Sequence, residues 1–121
     1  MIPKIIHQVW IGDIPIPKNI QKCIDTVKSK HPSWKHILWT DKNLPKDFTL
    51  KKEYHGTNLP TEMRDNTGRR ADVLRASVLW KYGGLYLDTD VEALKPIDNL
   101  LKNYELVLGN EYPKEGYVDS P

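Results

Sequence analysis

The sequence predicts an α/β fold, built from strands and helices that alternate along one chain. Three features point to it. Lys4 to Ile11 is rich in β-branched residues. Apolar residues recur at helical spacing after Pro17. A long helical stretch stops at Gly83-Gly84, just before a short apolar run that ends in acid. Alternation of this kind is the pattern of helices layered on a sheet.

The elements follow in order. Lys4 to Ile11 reads as a buried strand that stops at Gly12. Asp13 to Pro17 is rich in turn residues. Pro17 sits where a helix can begin, and Ile20, Ile24 and Val27 continue it to His31-Pro32. His36 to Thr40 is a second strand. Asp41 to Thr67 is polar, holds Pro45, Gly56 and Pro60, and shows no strong period, so loop with short helical turns is expected. Gly68 to Tyr82 is a helix with Gly83-Gly84 as its C-terminal stop. Leu85 to Asp88 is a short strand, Asp98 to Lys102 one helical turn, and Glu105 to Gly109 a further strand.

The chain of 121 residues fits one domain, residues 1–121. Its 39% hydrophobic and 28% charged residues are those of a soluble globular protein. The net charge of +2 is small, and basic residues are dispersed apart from pairs such as Arg69-Arg70. A dedicated nucleic-acid binder needs a concentrated basic patch, so nucleic acid is not an expected partner. Cys23 is the only cysteine, which excludes an intramolecular disulfide and a Cys-rich zinc site. No apolar run approaches the ~20 residues that span a bilayer. Lys4, His7 and Gln8 interrupt the N-terminus, so it does not read as a signal peptide. A cytoplasmic location is the expectation.

On a helical projection of residues 69–82, Ala71, Leu74, Val78 and Tyr82 fall on one flank and Val73, Ala76 and Trp80 on the other. Arg70, Ser77 and Lys81 read as the solvent face. Asp72 and Arg75 then point away from water, where charges are costly unless paired or ligand-bound. An i,i+3 ion pair and a ligand-binding pair both fit that placement.

Asp88-Thr89-Asp90 places two carboxylates at the end of an apolar strand. Ligands of open α/β sheets bind beyond the carboxyl ends of strands. Two such carboxylates suit a hard cation, Mn²⁺ or Mg²⁺, which could neutralise a diphosphate leaving group. The tripeptide alone is also compatible with a solvated loop. An EF-hand starting at Asp88 would need Gly and Glu where Ala93 and Asn99 stand. An aspartate-phosphatase motif would need a small β-branched residue where Glu92 stands. Both readings are set aside.

Several segments resemble glycosyltransferase family 32. Arg70-Ala71-Asp72-Val73-Leu74-Arg75, followed by the run from Leu79 through Gly83-Gly84 to Asp88-Thr89-Asp90, is similar to that family's D-x-D sugar-binding region. The glucosylating clostridial toxins carry a similar block. Ile2 to Gly12 resembles the family's first strand, and Pro32-Ser33-Trp34 and Trp39-Thr40-Asp41 resemble its next segments. The resemblance spans most of residues 2–98. It implies a GT-A-like, Rossmann-like sheet with helices on both faces, and retaining transfer from a nucleoside-diphosphate sugar to a glycan or lipid-linked acceptor. Carried over residue by residue, Trp10 would stack on the donor base, and Asp72 and Arg75 would bind the sugar. Tyr86 would lie along the ribose. Asp88 would reach ribose, sugar or metal-bound water, and Asp90 would be the most direct metal ligand. The roles expected are catalytic for Arg75, Asp88 and Asp90, and metal-binding for Asp88 and Asp90. From burial statistics alone, a core position is the commoner explanation for Trp10. His7 reads as a strand or core residue, and Trp34, Trp39 and Trp80 as packing.

Family members continue well beyond Pro121, into the part that supplies most of the acceptor pocket. The expectation is therefore a donor half without its acceptor half, either as part of an enzyme or as a non-catalytic donor-binding module completed by a partner chain. A shortened sheet would expose an edge, which favours self-association. Action on a lipid-linked glycan would place the protein at the inner membrane face.

Overall fold

The computed structural model describes residues 2–48, 50–64 and 66–108. Three parallel strands form one sheet in the order β2-β1-β3: β1 is Ile5–Val9, β2 Lys35–Trp39 and β3 Leu85–Tyr86. The first strand is central, and a central parallel strand is covered on both faces. Ile6, His7 and Gln8 are accordingly fully buried.

Helices cover both faces of this sheet. On one face, Ile6 packs with Val27 of α1 (Lys18–Lys30), Trp34, and Leu101 of α4 (Asp98–Leu101). On the other, Val9 and Trp39 pack with Tyr54 of α2 (Lys51–His55) and with Leu74 and Val78 of α3 (Thr67–Tyr82). Helix α1 starts directly after Pro17 and ends at His31, since Pro32 disfavours helical geometry in the residue before it. Asn66 caps α3 by accepting a bond from the Arg69 amide at 2.9 Å. Gly83 and Gly84 end α3 with φ of 65° and 94°. A Cβ on Gly84 would lie 2.4 Å from the Ile5 carbonyl oxygen, so only glycine lets α3 turn this closely into β3.

Most expected elements are present, with some differences. Within 41–67 the helical turns are α2 and a 3₁₀ turn at Thr61–Met63. The third strand is shorter than Leu85 to Asp88, although the Leu87 amide still donates to the His7 carbonyl at 3.1 Å. Residues 105–108 form no strand, and Gly109 lies outside the described residues.

The helical projection of α3 needs correction. Ser77 is fully buried beside Leu74 and Val78, whereas the Asp72 and Arg75 side chains are 69% and 45% exposed. The charged pair therefore faces solvent. Apolar residues line both flanks of this helix, so the projection left its rotation open by half a turn. A small Ser77 permits close approach to the sheet, and the bulk of Leu74 and Val78 then decides which side goes inward. Trp80 does not pack either: it is 81% exposed. Trp34 and Trp39 are buried as expected.

Among the described residues no helix is long and apolar enough to cross a membrane.

Candidate functional site

The site forms where β1 and β3 end. Beyond β1, the Trp10 amide extends the ladder by donating to the Trp39 carbonyl at 2.8 Å. The chain then bends through Gly12 and Asp13. The Trp10 indole N–H donates to the Ile14 carbonyl at 2.8 Å, which holds the ring across this bend. The Gly12 amide donates to the Asp41 carboxylate at 2.7 Å, tying the bend to the end of β2.

Beyond β3, Asp88 to Val91 closes as a turn, with the Val91 amide donating to the Asp88 carbonyl at 3.2 Å. Aspartate is favoured at the first position of such turns. Both carboxylates of the D-x-D sequence are consequently solvent-exposed. Between the two strand ends lies the first turn of α3. Trp10 to Ile14, Thr67, Gly68, Ala71, Tyr86 and Asp88 to Asp90 enclose an open cavity of ≈ 590 Å³. That volume is in the range of small-molecule sites.

Four of the expected residues thus share one cavity: Trp10, Tyr86, Asp88 and Asp90. Asp72 and Arg75 do not line it. They form an ion pair with each other at 3.4 Å, and the Arg75 guanidinium lies 5.5 Å from the Tyr86 ring centroid. Tyr86 therefore links the pair to the cavity. Its phenol is pushed up to about 12, first by burial, then by the Asp88 charge and a hydrogen bond with Asp88, against an opposing effect of Arg75. It stays neutral at physiological pH and keeps a proton to donate toward Asp88.

His7, read as a core residue, is one. Its Nε2–H donates to the Gly83 carbonyl at 2.9 Å and its Nδ1 accepts from the Trp39 indole at 3.1 Å. Both ring nitrogens are satisfied only when the ring is neutral.

Gly12, Asp13, Asp41, Thr67 and Gly68 complete or brace the site without having been singled out as site residues. The strand-end rule applied to the first strand would have found Gly12 and Asp13. Nothing local marks Thr67, whose place depends on where α3 begins.

Asp13, Asp88 and Asp90 line the cavity, and among the described residues no lysine or arginine does. A bare carboxylate-lined cavity repels a diphosphate, whereas a divalent cation on Asp88 and Asp90 would reverse that field. Among the described residues no group of three or more His, Cys, Asp or Glu side chains could enclose an ion. Two exposed carboxylates would supply oxygen ligands of the kind a hard cation takes, and would leave most of its shell to water and other ligands.

Comparison with known proteins bears on the same turn. Residues 17–107 match a family described as the glycosyltransferase sugar-binding region containing a DXD motif. The chain is 39% identical over 108 residues to inositol phosphoceramide mannosyltransferase 3 of Schizosaccharomyces pombe, covering 83% of this chain and 27% of that protein. It is 40% identical over 105 residues to mannosyl phosphorylinositol ceramide synthase CSH1 of Saccharomyces cerevisiae, covering 84% and 26%. It is 31% identical over 114 residues to the initiation-specific alpha-1,6-mannosyltransferase of Candida albicans, covering 88% and 29%. The chain thus spans less than a third of the length of each of these relatives. No solved structure matches it. With the D-x-D turn at its strand end and a family match running from α1 past α4, the chain belongs to the family of glycosyltransferase sugar-binding regions that contain a DXD motif.

Proposed function

We propose that this chain is the GT-A-like donor-binding part of a retaining glycosyltransferase that uses a nucleoside-diphosphate sugar with Mn²⁺ or Mg²⁺ and a glycan or lipid-linked acceptor. The observation that carries it is the single cavity shared by Trp10, Tyr86, Asp88 and Asp90 at the ends of β1 and β3. Relatives named as mannosyltransferases make mannose the first sugar to test.

In this reading the Trp10 ring, held by its bond to Ile14, offers an apolar face to the base. Tyr86 lies between Arg75 and Asp88 and lines the ribose. Asp88 and Asp90 would hold the cation, which would supply positive charge to offset that of a diphosphate leaving group. The first turn of α3 adds the positive end of a helix dipole on the same side. Arg75 reaches the sugar by leaving Asp72, a small cost because both groups are solvated. Rate acceleration then comes from positioning and fixed electrostatics.

Calorimetry with GDP-mannose and UDP-glucose, with and without Mn²⁺, tests this. Metal-dependent binding is expected, weakened at least tenfold in Asp90→Ala. Binding that ignores the metal, or that survives Asp90→Ala unchanged, would remove the assigned site. Release of nucleoside diphosphate is then measured separately, as the sign of transfer or hydrolysis.

A further inference from the structure

The D-x-D turn is held by a group no sequence motif assigns to it. The Asp88 carbonyl accepts two hydrogen bonds. One comes from the Val91 amide and closes the turn. The other comes from the Gln8 side chain, whose Nε2 donates at 3.2 Å across a separation of 80 residues. Gln8 is fully buried in the central strand. Its own orientation is set from the opposite side: His36 Nε2 lies 2.7 Å from Gln8 Oε1 and donates to it. A carboxamide can present its N–H₂ or its oxygen to either neighbour. Here both neighbours demand one choice. The Asp88 carbonyl can only accept, so the amide nitrogen must face it. The oxygen then faces β2, where an imidazole N–H meets it.

We infer that Gln8 is a positioning residue for the D-x-D turn, and that His36 fixes the orientation of its carboxamide. The role deepens the donor-site reading and rests on it for its consequence in binding. Its geometric part stands alone. A buried amide paired at both its nitrogen and its oxygen is a stiff link, because breaking either bond strands a polar group away from water. The link joins the middle of the core to the backbone of the residue that carries the first carboxylate. Small displacements of that backbone would change the separation of Asp88 and Asp90, and hard cations are sensitive to ligand placement.

The test reads the turn directly. Amide hydrogen exchange is followed by NMR on the full chain in the wild type and in Gln8→Met, His36→Ala and His36→Gln. The Val91 amide is expected to exchange about tenfold faster in Gln8→Met, relative to the Ile6 and His7 amides of β1. It should also exchange faster in His36→Ala. Recovery to near the wild-type rate is expected in His36→Gln, because a glutamine nitrogen can stand where the imidazole Nε2 donates. A general loss of stability would raise β1 and Val91 together, and that result overturns the proposal. So does an unchanged Val91 rate. If Gln8→Met does not fold, the two variants at half-buried His36 decide the matter, and equal Val91 rates in both would refute it.

The same proteins are titrated with Mn²⁺ plus GDP and Mn²⁺ plus UDP. About tenfold weaker nucleotide binding in Gln8→Met, with Asp88 and Asp90 intact, is expected. If the wild type binds neither nucleotide, the donor-site reading falls, while the Val91 rates still decide what Gln8 does.

Discussion

Polar side chains occupy two contrasting regions along β1. In the middle of the strand, His7 and Gln8 are fully buried and every one of their bonds goes to protein. A few residues on, past the strand's end, Asp13 faces the cavity with Asp88 and Asp90, and all three are exposed. The difference separates two uses of polarity. Paired inside, it locks ring orientation and strand register. Left open at a strand end, beside an aromatic wall and a helix start, it is available to a ligand. The inner region is also what aims the outer one. His7 grips Gly83 before β3 and Gln8 grips Asp88 after it.

Substitutions in the two regions should separate these uses. The largest effect is expected at the close approach beside the inner region. Gly84→Ala would push a Cβ into the Ile5 carbonyl at positive φ and should cost roughly 4 kcal/mol in urea unfolding. His7→Leu strands the Trp39 indole N–H and the Gly83 carbonyl, and about 3 kcal/mol is expected by the same measurement. If His7→Leu were neutral, the inner network would be incidental to stability.

Acid gives a smaller effect. Burial lowers the pKa of both His7 and His36, helped by the Lys35 charge in the first and the Lys28 charge in the second, while the Gly83 bond opposes it at His7. Below the ordinary value of 6.5 the unfolded chain therefore binds more protons than the folded one. Stability should be complete above pH 6.5 and fall as pH drops through 6.5 toward the lowered values, by no more than about 1.4 kcal/mol per pH unit per histidine. Urea midpoints at pH 7.5 and 5.5 would show it, and His36→Gln should reduce the slope.

The smallest stability effect is expected in the outer region. Asp90→Ala should shift stability by only about 0.5 kcal/mol while weakening Mn²⁺-dependent nucleotide binding. A large loss of stability there would mean that the exposed carboxylates serve the fold after all.

Much of this was legible along the chain. Periodicity and breakers located the strands and helices, because apolar spacing and the backbone limits of Gly and Pro act locally. The glycine pair ends α3 where its backbone freedom predicts, and Trp34, Trp39 and His7 lie in the core that their composition and setting predict. The D-x-D sequence was placed at a strand end, where the turn now lies. The rotation of α3 is not legible in this way, since helical spacing sets angles between residues and not the angle of the helix against a sheet. That choice follows from packing, in which Leu74, Ser77 and Val78 go inward and leave Asp72 and Arg75 in water.

Local sequence is enough to encode the alternating elements, the stop at Gly83-Gly84 and the presence of a family-type D-x-D turn. Packing of distant segments is what makes Trp10 wall a cavity, leaves Asp72 and Arg75 outside it, and brings Gln8 to the Asp88 carbonyl. Those outcomes depend on the register of β1 against β3, in which Ile6 pairs with Leu85 and His7 with Tyr86. Register brings together residues far apart in the chain, and no local pattern encodes which polar group will meet which carbonyl.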